Sequence, residues 1–312
     1  MRILFTGASS FTGCWFVREL ADAGHEIAMV FRRPAEAYEQ MRQTRVQLAR
    51  ECGEAVFDCE FGDDRFIDLI RAHRRWDMLC HHAAEVGDYR SEDFDVAAAV
   101  ASNTRNIKAV LEHLAERSCQ KLVLTGSFFE QGEGAGSDGL QAFSPYGLSK
   151  TLTSQLVSFH ARCQRIRFGK FVIPNPFGVY EEPRFPIYLI RNWYQGKTPS
   201  VNTPAYVRDN IHVTLLAKAY RSFVAEQPEQ PGCSKVNPSG YIESQGAFAQ
   251  RFAAQMRPRL KLPCELELCK QLDFQEPRVR INTAPVDGDA LGWNEGEAWD
   301  QLADFYQEMF QS

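Results

Sequence analysis

The first thirteen residues constrain this chain more than any other segment. An apolar run, Arg2-Ile3-Leu4-Phe5-Thr6, passes directly into Gly7-Ala8-Ser9-Ser10-Phe11-Thr12-Gly13, and a helical pattern begins immediately behind it. A strand that turns through small residues into a helix offers backbone N–H groups and the positive helix end to an anion. Small residues are needed there because a phosphate approaches the main chain closely. The turn therefore predicts dinucleotide binding at a first βαβ unit, which continues through Gly24-His25-Glu26 into a second strand. The usual fingerprint carries three glycines, and here the middle position is Ser10.

The alternation persists through the first half of the chain. Strands are expected at 2–6, 26–31, 55–57, 78–81, 121–125 and 168–173, with helical patterns at 14–23, 66–73, 96–117 and 147–163. Several strands are almost continuously apolar, as strands covered on both faces are. The fold class that follows is α/β, a Rossmann-type doubly wound parallel sheet with a smaller C-terminal α/β substrate domain. The rhythm breaks near residue 175, where Pro174, Pro176, Pro183 and Pro186 punctuate a loop. Residues 1–175 are assigned to the Rossmann domain, with 206–232 packing back on it because 211–225 reads as another helix. Residues 176–205 and 233–312 are assigned to the smaller domain. The glycine-rich stretch 132–139 is expected at the surface near the site.

Bulk properties narrow the class. A net charge of -5 over 312 residues disfavours nucleic acid or an anionic membrane as partner. No apolar run approaches the roughly 18 to 20 residues that span a bilayer. The N-terminal run is too short for a secretory signal, so a cytoplasmic protein is expected. The nine cysteines are scattered, without CxxC or Cys/His metal spacing, and read as reduced thiols with no metal site.

Two further segments carry chemistry. Strand two ends in Phe31-Arg32-Arg33-Pro34, with no acid before Glu36. An acid there would bind a ribose 2′-hydroxyl, whereas arginine suits a 2′-phosphate, so NADP(H) is favoured over NAD(H). The alternative is that Arg32 and Arg33 are a solvated pair. In Ser144-Pro145-Tyr146-Gly147-Leu148-Ser149-Lys150, Tyr146 and Lys150 are four apart and share a helix face. A free tyrosine titrates near 10, and use as an acid/base near pH 7 requires about 4 kcal/mol of stabilisation of the phenolate. A lysine ammonium and a nicotinamide cation close to the phenol oxygen would supply it. Ser127 follows the strand at 121–125, where its hydroxyl would bind a substrate oxygen.

These motifs together resemble the extended short-chain dehydrogenase/reductase family, specifically its NAD(P)-dependent nucleotide-sugar epimerase/dehydratase group. The resemblance covers nearly the whole chain. It runs through the glycine turn, Asp58, Asp77-Met78-Leu79-Cys80-His81-His82-Ala83-Ala84, Asn103, Thr125-Gly126-Ser127 and Tyr146/Lys150. Beyond these come Pro174-Asn175-Pro176-Phe177-Gly178-Val179-Tyr180, Tyr206-Val207-Arg208-Asp209-Asn210-Ile211-His212-Val213 and Leu291-Gly292-Trp293. The resemblance implies Tyr146 as acid/base, Lys150 as its partner and Ser127 as donor to the substrate oxygen. It implies Gly7, Ser9, Ser10, Phe11 and Gly13 around the pyrophosphate, and Arg32, Asp58, Ala83, Ala84, Asn103, Tyr146, Lys150 and Pro174 along the rest of the cofactor. It implies Glu85, Asn175, Arg208 and Arg280 (or Arg278) at a nucleotide-diphosphate sugar, and a homodimer formed through 96–117 and 147–163. His81 and His212 lie in apolar runs and read as packed, hydrogen-bonded histidines.

Departures from the family pattern sort the reactions. The 4,6-dehydratases carry an Asp-Glu pair directly after the serine or threonine; here Phe128 and Phe129 stand there, and Glu130 is one place too far along. The 3,5-epimerising members use a cysteine near this loop, and none lies near Ser127. Hydride chemistry at one carbon remains, in a C4 epimerase or a 4-ketosugar reductase. Alternatives of other classes are a reductase of a small non-nucleotide carbonyl compound and a non-catalytic dinucleotide sensor, the latter disfavoured because both Tyr146 and Lys150 are retained.

Overall fold

A computed structural model describes residues 1–89, 91–226 and 232–311. Residues 227–231, within the expected 206–232 segment, and Ser312 lie outside the described residues.

The fold is α/β, built on a seven-stranded parallel sheet. Six of its strands are β1 (Arg2–Thr6), β2 (Glu26–Val30), β3 (Glu54–Val56), β4 (Met78–His81), β5 (Lys121–Ser127) and β6 (Arg167–Ile173). The seventh is an edge strand, Cys233–Val236, and the order across the sheet is this edge strand, β6, β5, β4, β1, β2, β3. The order reverses between β1 and β4, the switch point at which open α/β sheets bind ligands beyond their strand ends. The central strands are sealed on both faces: Ile3, Leu4, Phe5, Met78, Leu79, Cys80, Leu122 and Val123 have no exposed surface. On one face Leu4, Leu79, Leu122 and Leu124 meet Val110, Leu111, Leu114 and Val157. On the other, Phe16 of helix α1 (Phe11–Asp22) stacks on Tyr220 at 4.0 Å and meets Phe171 edge-on at 5.8 Å. Burying each such ring contributes roughly 2–3 kcal/mol.

The run 96–117, expected as one helix, is two: α2 (Val96–Asn103) and α3 (Ile107–Glu116). Asn103 causes the break. Its carbonyl bonds His81 Nε2 at 3.0 Å, so Ile107 N turns to Thr104 O instead. Asn106 then takes a left-handed conformation, φ 50°, which asparagine tolerates better than most residues.

The chain divides into two compact units: residues 1–133, 140–173 and 217–237 in the first, and 134–139, 174–216 and 238–312 in the second. Four segments, 134–139, 174–175, 206–216 and 233–237, thus lie apart from the expected boundaries, the last two for reasons of strand pairing. Cys233–Val236 pairs with β6 and belongs to the first unit, while Val207–His212 pairs with Asn175–Phe177 and Tyr241–Ser244 in the second. The second unit has its own aromatic core, in which Phe177 packs on Phe248 and Trp299 at 5.1 and 5.3 Å, and Phe252 on Trp299 at 5.7 Å. Among the described residues no helix is long and apolar enough to cross a membrane, and no cluster of His, Cys, Asp or Glu could hold a metal. All nine cysteines are free thiols.

Candidate active site

In the first unit the turn between β1 and α1 is closely built. Gly7 has φ 87°, and a Cβ there would lie 2.7 Å from Ala83 N; one on Gly13 would lie 2.2 Å from Gly7 O. Both glycines are required, the first for its conformation and both for close approach. Ser10 has φ -78° and ψ 164°, ordinary extended backbone, so no third glycine is needed. Its hydroxyl instead accepts from Gly13 N at 3.0 Å and lies 2.9 Å from both Gly7 O and His82 Nε2. This side chain caps the helix. The N–H groups of Phe11 and Thr12 are among those a helix cannot satisfy by itself. Beneath the turn, the buried Arg45 donates through Nε to Ser9 O at 3.0 Å. Ala83 N donates to Thr6 Oγ1 at 3.1 Å and so is fixed directly over Gly7.

At the end of β2 the arginines are not equivalent. Arg32 Nη1 lies 2.9 Å from Glu85 Oε2, and its Nε is 3.9 Å from Glu60 Oε1. Glu85 is held in turn through its N–H, which donates to Asn103 Oδ1 at 2.7 Å. Asp58, left-handed at φ 52°, donates its N–H to Arg33 O at 3.4 Å, placing it beside this loop.

Tyr146, Lys150 and Ser127 lie where β5 ends against helix α4 (Pro145–Cys163). Ser144 caps this helix by accepting from Gly147 N at 3.0 Å, which sets Tyr146 in its first turn. Gly147 lets the helix approach the loop after β5, since a Cβ there would meet Phe129 O at 2.4 Å. One turn on, Lys150 is 4% exposed and donates from Nζ to Thr125 O at 2.7 Å. Burial pushes its amine down to about 8, with Glu130 opposing and Lys170 adding to the shift. Ser127, also buried, is the last residue of β5 rather than just after a strand ending at Thr125, and its Oγ accepts from Phe129 N at 3.3 Å. Tyr89, Phe94 and Phe129 each stand 6.0 Å from the Tyr146 ring, steeply inclined to it. A cavity of about 680 Å³ opens along this ring cluster, with Glu92, Phe94, Gln131, Gln141 and Phe143 in its wall.

The second unit holds Pro174, Asn175, Arg208 and Arg280. Asn175 lies opposite Asn210 in the three-stranded sheet. The guanidinium of Arg208 lies over the Tyr206 ring at 4.6 Å, donates to the carbonyls of Val207 and Pro277, and pairs with Glu276 at 2.9 Å. Arg280 is 1% exposed on a short strand paired with Ala135–Gly136. His212 is a packed residue, its Nδ1 2.8 Å from Thr214 Oγ1, and burial lowers it to about 3.

Comparison with known proteins shows the family. The profile of the NAD dependent epimerase/dehydratase family matches residues 3–236. The chain belongs to this family. No curated protein matches it in sequence. In fold it is similar to UDP-glucose 4-epimerase from Thermotoga maritima, solved with UDP-glucose, at 17% identity and TM-score 0.73 over 99% of each chain. It is also similar to UDP-glucuronic acid 4-epimerase from Bacillus cereus in complex with UDP-glucuronic acid and NAD. The identity there is 15% and the TM-score 0.73, over 99% of this chain and 100% of the other. MoeE5 in complex with UDP-glucose and NAD gives 18% and 0.72 over 99% of each chain.

Within that family frame, several contacts at the site go beyond what the sequence indicated, although His81 is hydrogen-bonded as expected. His82 is buried between Ser10, Thr12 and Thr125, with its Nδ1 2.9 Å from Thr125 Oγ1, and burial lowers it to about 3. It thus ties the glycine turn to β5 as a neutral ring. His81 does the same for Thr6 and Asn103. Glu130 and Lys170 form a buried pair behind Ser127. A charged residue inside an otherwise apolar strand was the one available cue, at Lys170.

Proposed function

We propose that the protein is an NAD(H)-using 4-epimerase of nucleotide-linked sugars, in which Tyr146 moves the proton of the reacting hydroxyl. The observation that carries this reading is the grouping at the end of β5. Lys150, one helical turn from Tyr146, is anchored to Thr125 O, two residues before Ser127. With its pKa held to about 8, Lys150 is mostly charged at neutral pH, and a nearby cation stabilises phenolate relative to phenol. Ser127 would hold the sugar oxygen, and Tyr146 would take and return its proton. A bound dinucleotide supplies the hydride acceptor. The glycine turn with Ser9, Ser10 and Phe11 suits a pyrophosphate, because it is already capped and presents a helix N-terminus. Asp58, Ala83, Ala84, Asn103, Lys150 and Pro174 would line the remainder. Asn175, Arg208 and Arg280 would hold the sugar-linked diphosphate; Arg208 retains donors beyond those it spends on Glu276 and the carbonyls.

NAD(H) is preferred over NADP(H) because Arg32 is engaged by Glu85 and Glu60, and a 2′-phosphate would have to displace carboxylates. Glu85 is accordingly read as the partner of Arg32 before it is read as a substrate contact. The second reading is a 4-ketosugar reductase drawing on NADPH, favoured by the adjacent Arg33 at the end of β2.

Denaturing the purified protein and identifying the released dinucleotide separates the two. Bound NAD, with interconversion of UDP-glucose and UDP-galactose, is the expected outcome. An empty site that takes NADPH far more tightly than NADH would replace it with the reductase. Tyr146→Phe is expected to lower turnover by about 10²- to 10⁴-fold. Undiminished turnover in that variant would remove Tyr146 from its role.

We also infer a homodimer. Leu148, Leu152, Leu156 and Phe159 form a stripe along α4 that is 37–51% exposed, at the spacing of one helix face. A second copy presenting the same stripe would cover it. Light scattering should give twice the chain mass, and Leu156→Glu should return it to a monomer.

A further inference from the structure

Behind Ser127 lies a set of buried charges that the proposed proton transfer does not use. Glu130 has no exposed surface, Glu133 is 4% exposed and Lys170 is 7% exposed. Lys170 Nζ lies 2.5 Å from Glu130 Oε2 and 2.8 Å from Glu133 Oε1. Glu133 also receives Lys235 at 3.1 Å and Asn237 at 3.1 Å. A buried ion pair is weak evidence of stability, because its desolvation cost often equals its attraction. Its placement is more informative. The other oxygen of Glu130 accepts from Ser127 N at 2.7 Å. Gly126 has no positive φ, yet a Cβ there would sit 2.7 Å from Lys170 Cε and 2.9 Å from Glu130 Oε1. The glycine leaves room for the pair directly against the strand end.

Three consecutive residues are thereby gripped from two sides. Lys150 holds the carbonyl of Thr125, the Lys170–Glu130 pair fills the space beside Gly126, and Glu130 holds the N–H of Ser127. Lys150 and Glu130 are opposite charges bonded to peptide groups of the same short segment. We propose that Glu130 is a positioning residue, which fixes Ser127 through its backbone and, with Lys170 as counterweight, sets the charge of Lys150. The inference rests on the Tyr146/Lys150/Ser127 reading of the site.

The groups facing Lys150 are Glu130 on the loop after β5, Lys170 on β6, His81 at the end of β4 and His82 just beyond it. The histidines are neutral at ordinary pH, lowered by burial to about 4 and about 3. Glu130 and Lys170 thus remain the charges that can tune the amine, in opposite directions: Glu130 raises its pKa and Lys170 lowers it.

The test reads Lys150 directly and needs no substrate. In protein labelled with ¹³C at lysine Cε, the Lys150 resonance is assigned by its loss in Lys150→Arg and followed through a pH titration. In Glu130→Gln, which preserves size and an acceptor for Ser127 N, the midpoint should fall by about one pH unit or more. In Lys170→Gln it should rise. A midpoint unchanged in folded Glu130→Gln overturns the proposal; should that variant not fold, an unchanged or lowered midpoint in Lys170→Gln does so. With UDP-glucose as substrate, the alkaline limb of the kcat profile, where the Lys150 charge is lost, should move with the midpoint while KM stays near wild type. Absence of turnover in the wild-type protein would fail the functional reading and leave the titration result standing by itself.

Discussion

Glu130 and Glu181 are both carboxyls removed from water, one in each compact unit, and the chain treats them in opposite ways. Glu130 has a Lys170 ammonium on one oxygen and a backbone N–H on the other. Lys170 sits among these partners with its pKa raised, since Glu130 and Glu133 outweigh the lowering effect of burial. Burial pushes Glu133 up as well, but its bonds to Lys170, Asn237 and Lys235 hold it below the usual range. Glu181 has fewer partners. Its Oε2 lacks a hydrogen-bond partner among the described residues, and burial drives its pKa to about 8 against the Arg184 charge and a Gly178 N–H. The Tyr306 hydroxyl, which feels the Glu181 charge, is likewise without a partner. The contrast separates two settings for a buried acid: one bonded to an ammonium and a backbone N–H, the other kept protonated by burial.

The largest effect expected from breaking this contrast follows Lys170→Met. It leaves Glu130 and Glu133 buried without their shared cation and should cost about 3–5 kcal/mol by chemical denaturation. A loss below about 1 kcal/mol would mean that the network is not maintaining the charges. Glu181 makes the converse prediction. Its folded pKa lies above the unfolded value, so the folded protein binds the proton more tightly. Stability is therefore lost as pH rises from the ordinary carboxyl range toward about 8, by up to about 1.4 kcal/mol per unit. Glu181→Gln should remove that slope and be more stable than wild type at the alkaline end, when urea midpoints are compared across the range. Parallel pH dependences in the two proteins would show that Glu181 is already paired. The smallest effect is expected from Gly126→Ala, whose methyl presses on the flexible end of Lys170 and on Glu130, at about 1–3 kcal/mol.

How far the sequence spoke depended on whether local pattern or tertiary partner decided the outcome. The parallel sheet was legible because β1, β4 and β5 are buried on both faces and so read as apolar runs. The glycine turn was legible even with Ser10, because what matters there is small size and position. The helix break at Asn103 was not legible: nothing within 96–117 favours it, and it arises only because His81 claims the Asn103 carbonyl. Cys233–Val236 carries little apolar signal, being an edge strand with alternate residues exposed. At the site, the shared helix face of Tyr146 and Lys150 was legible from their spacing, and Ser127 at the end of β5 was what set the pair apart from an ordinary surface helix face. Glu130 could be judged only for what it is not, an acid beside the reacting serine, because its bond to Ser127 N depends on a tight turn and on Lys170 arriving from β6. The engagement of Arg32 by Glu85 and Glu60 depended equally on strands distant in sequence.

The Ser10 cap has a consequence for time rather than for affinity. Because this hydroxyl closes the turn on Gly13, Gly7 and His82 using the protein's own atoms, the loop has no ordering step left to complete when an anion arrives. Association at this end should therefore proceed in a single phase at a rate set by encounter. Any slow phase seen on mixing would have to originate elsewhere in the chain.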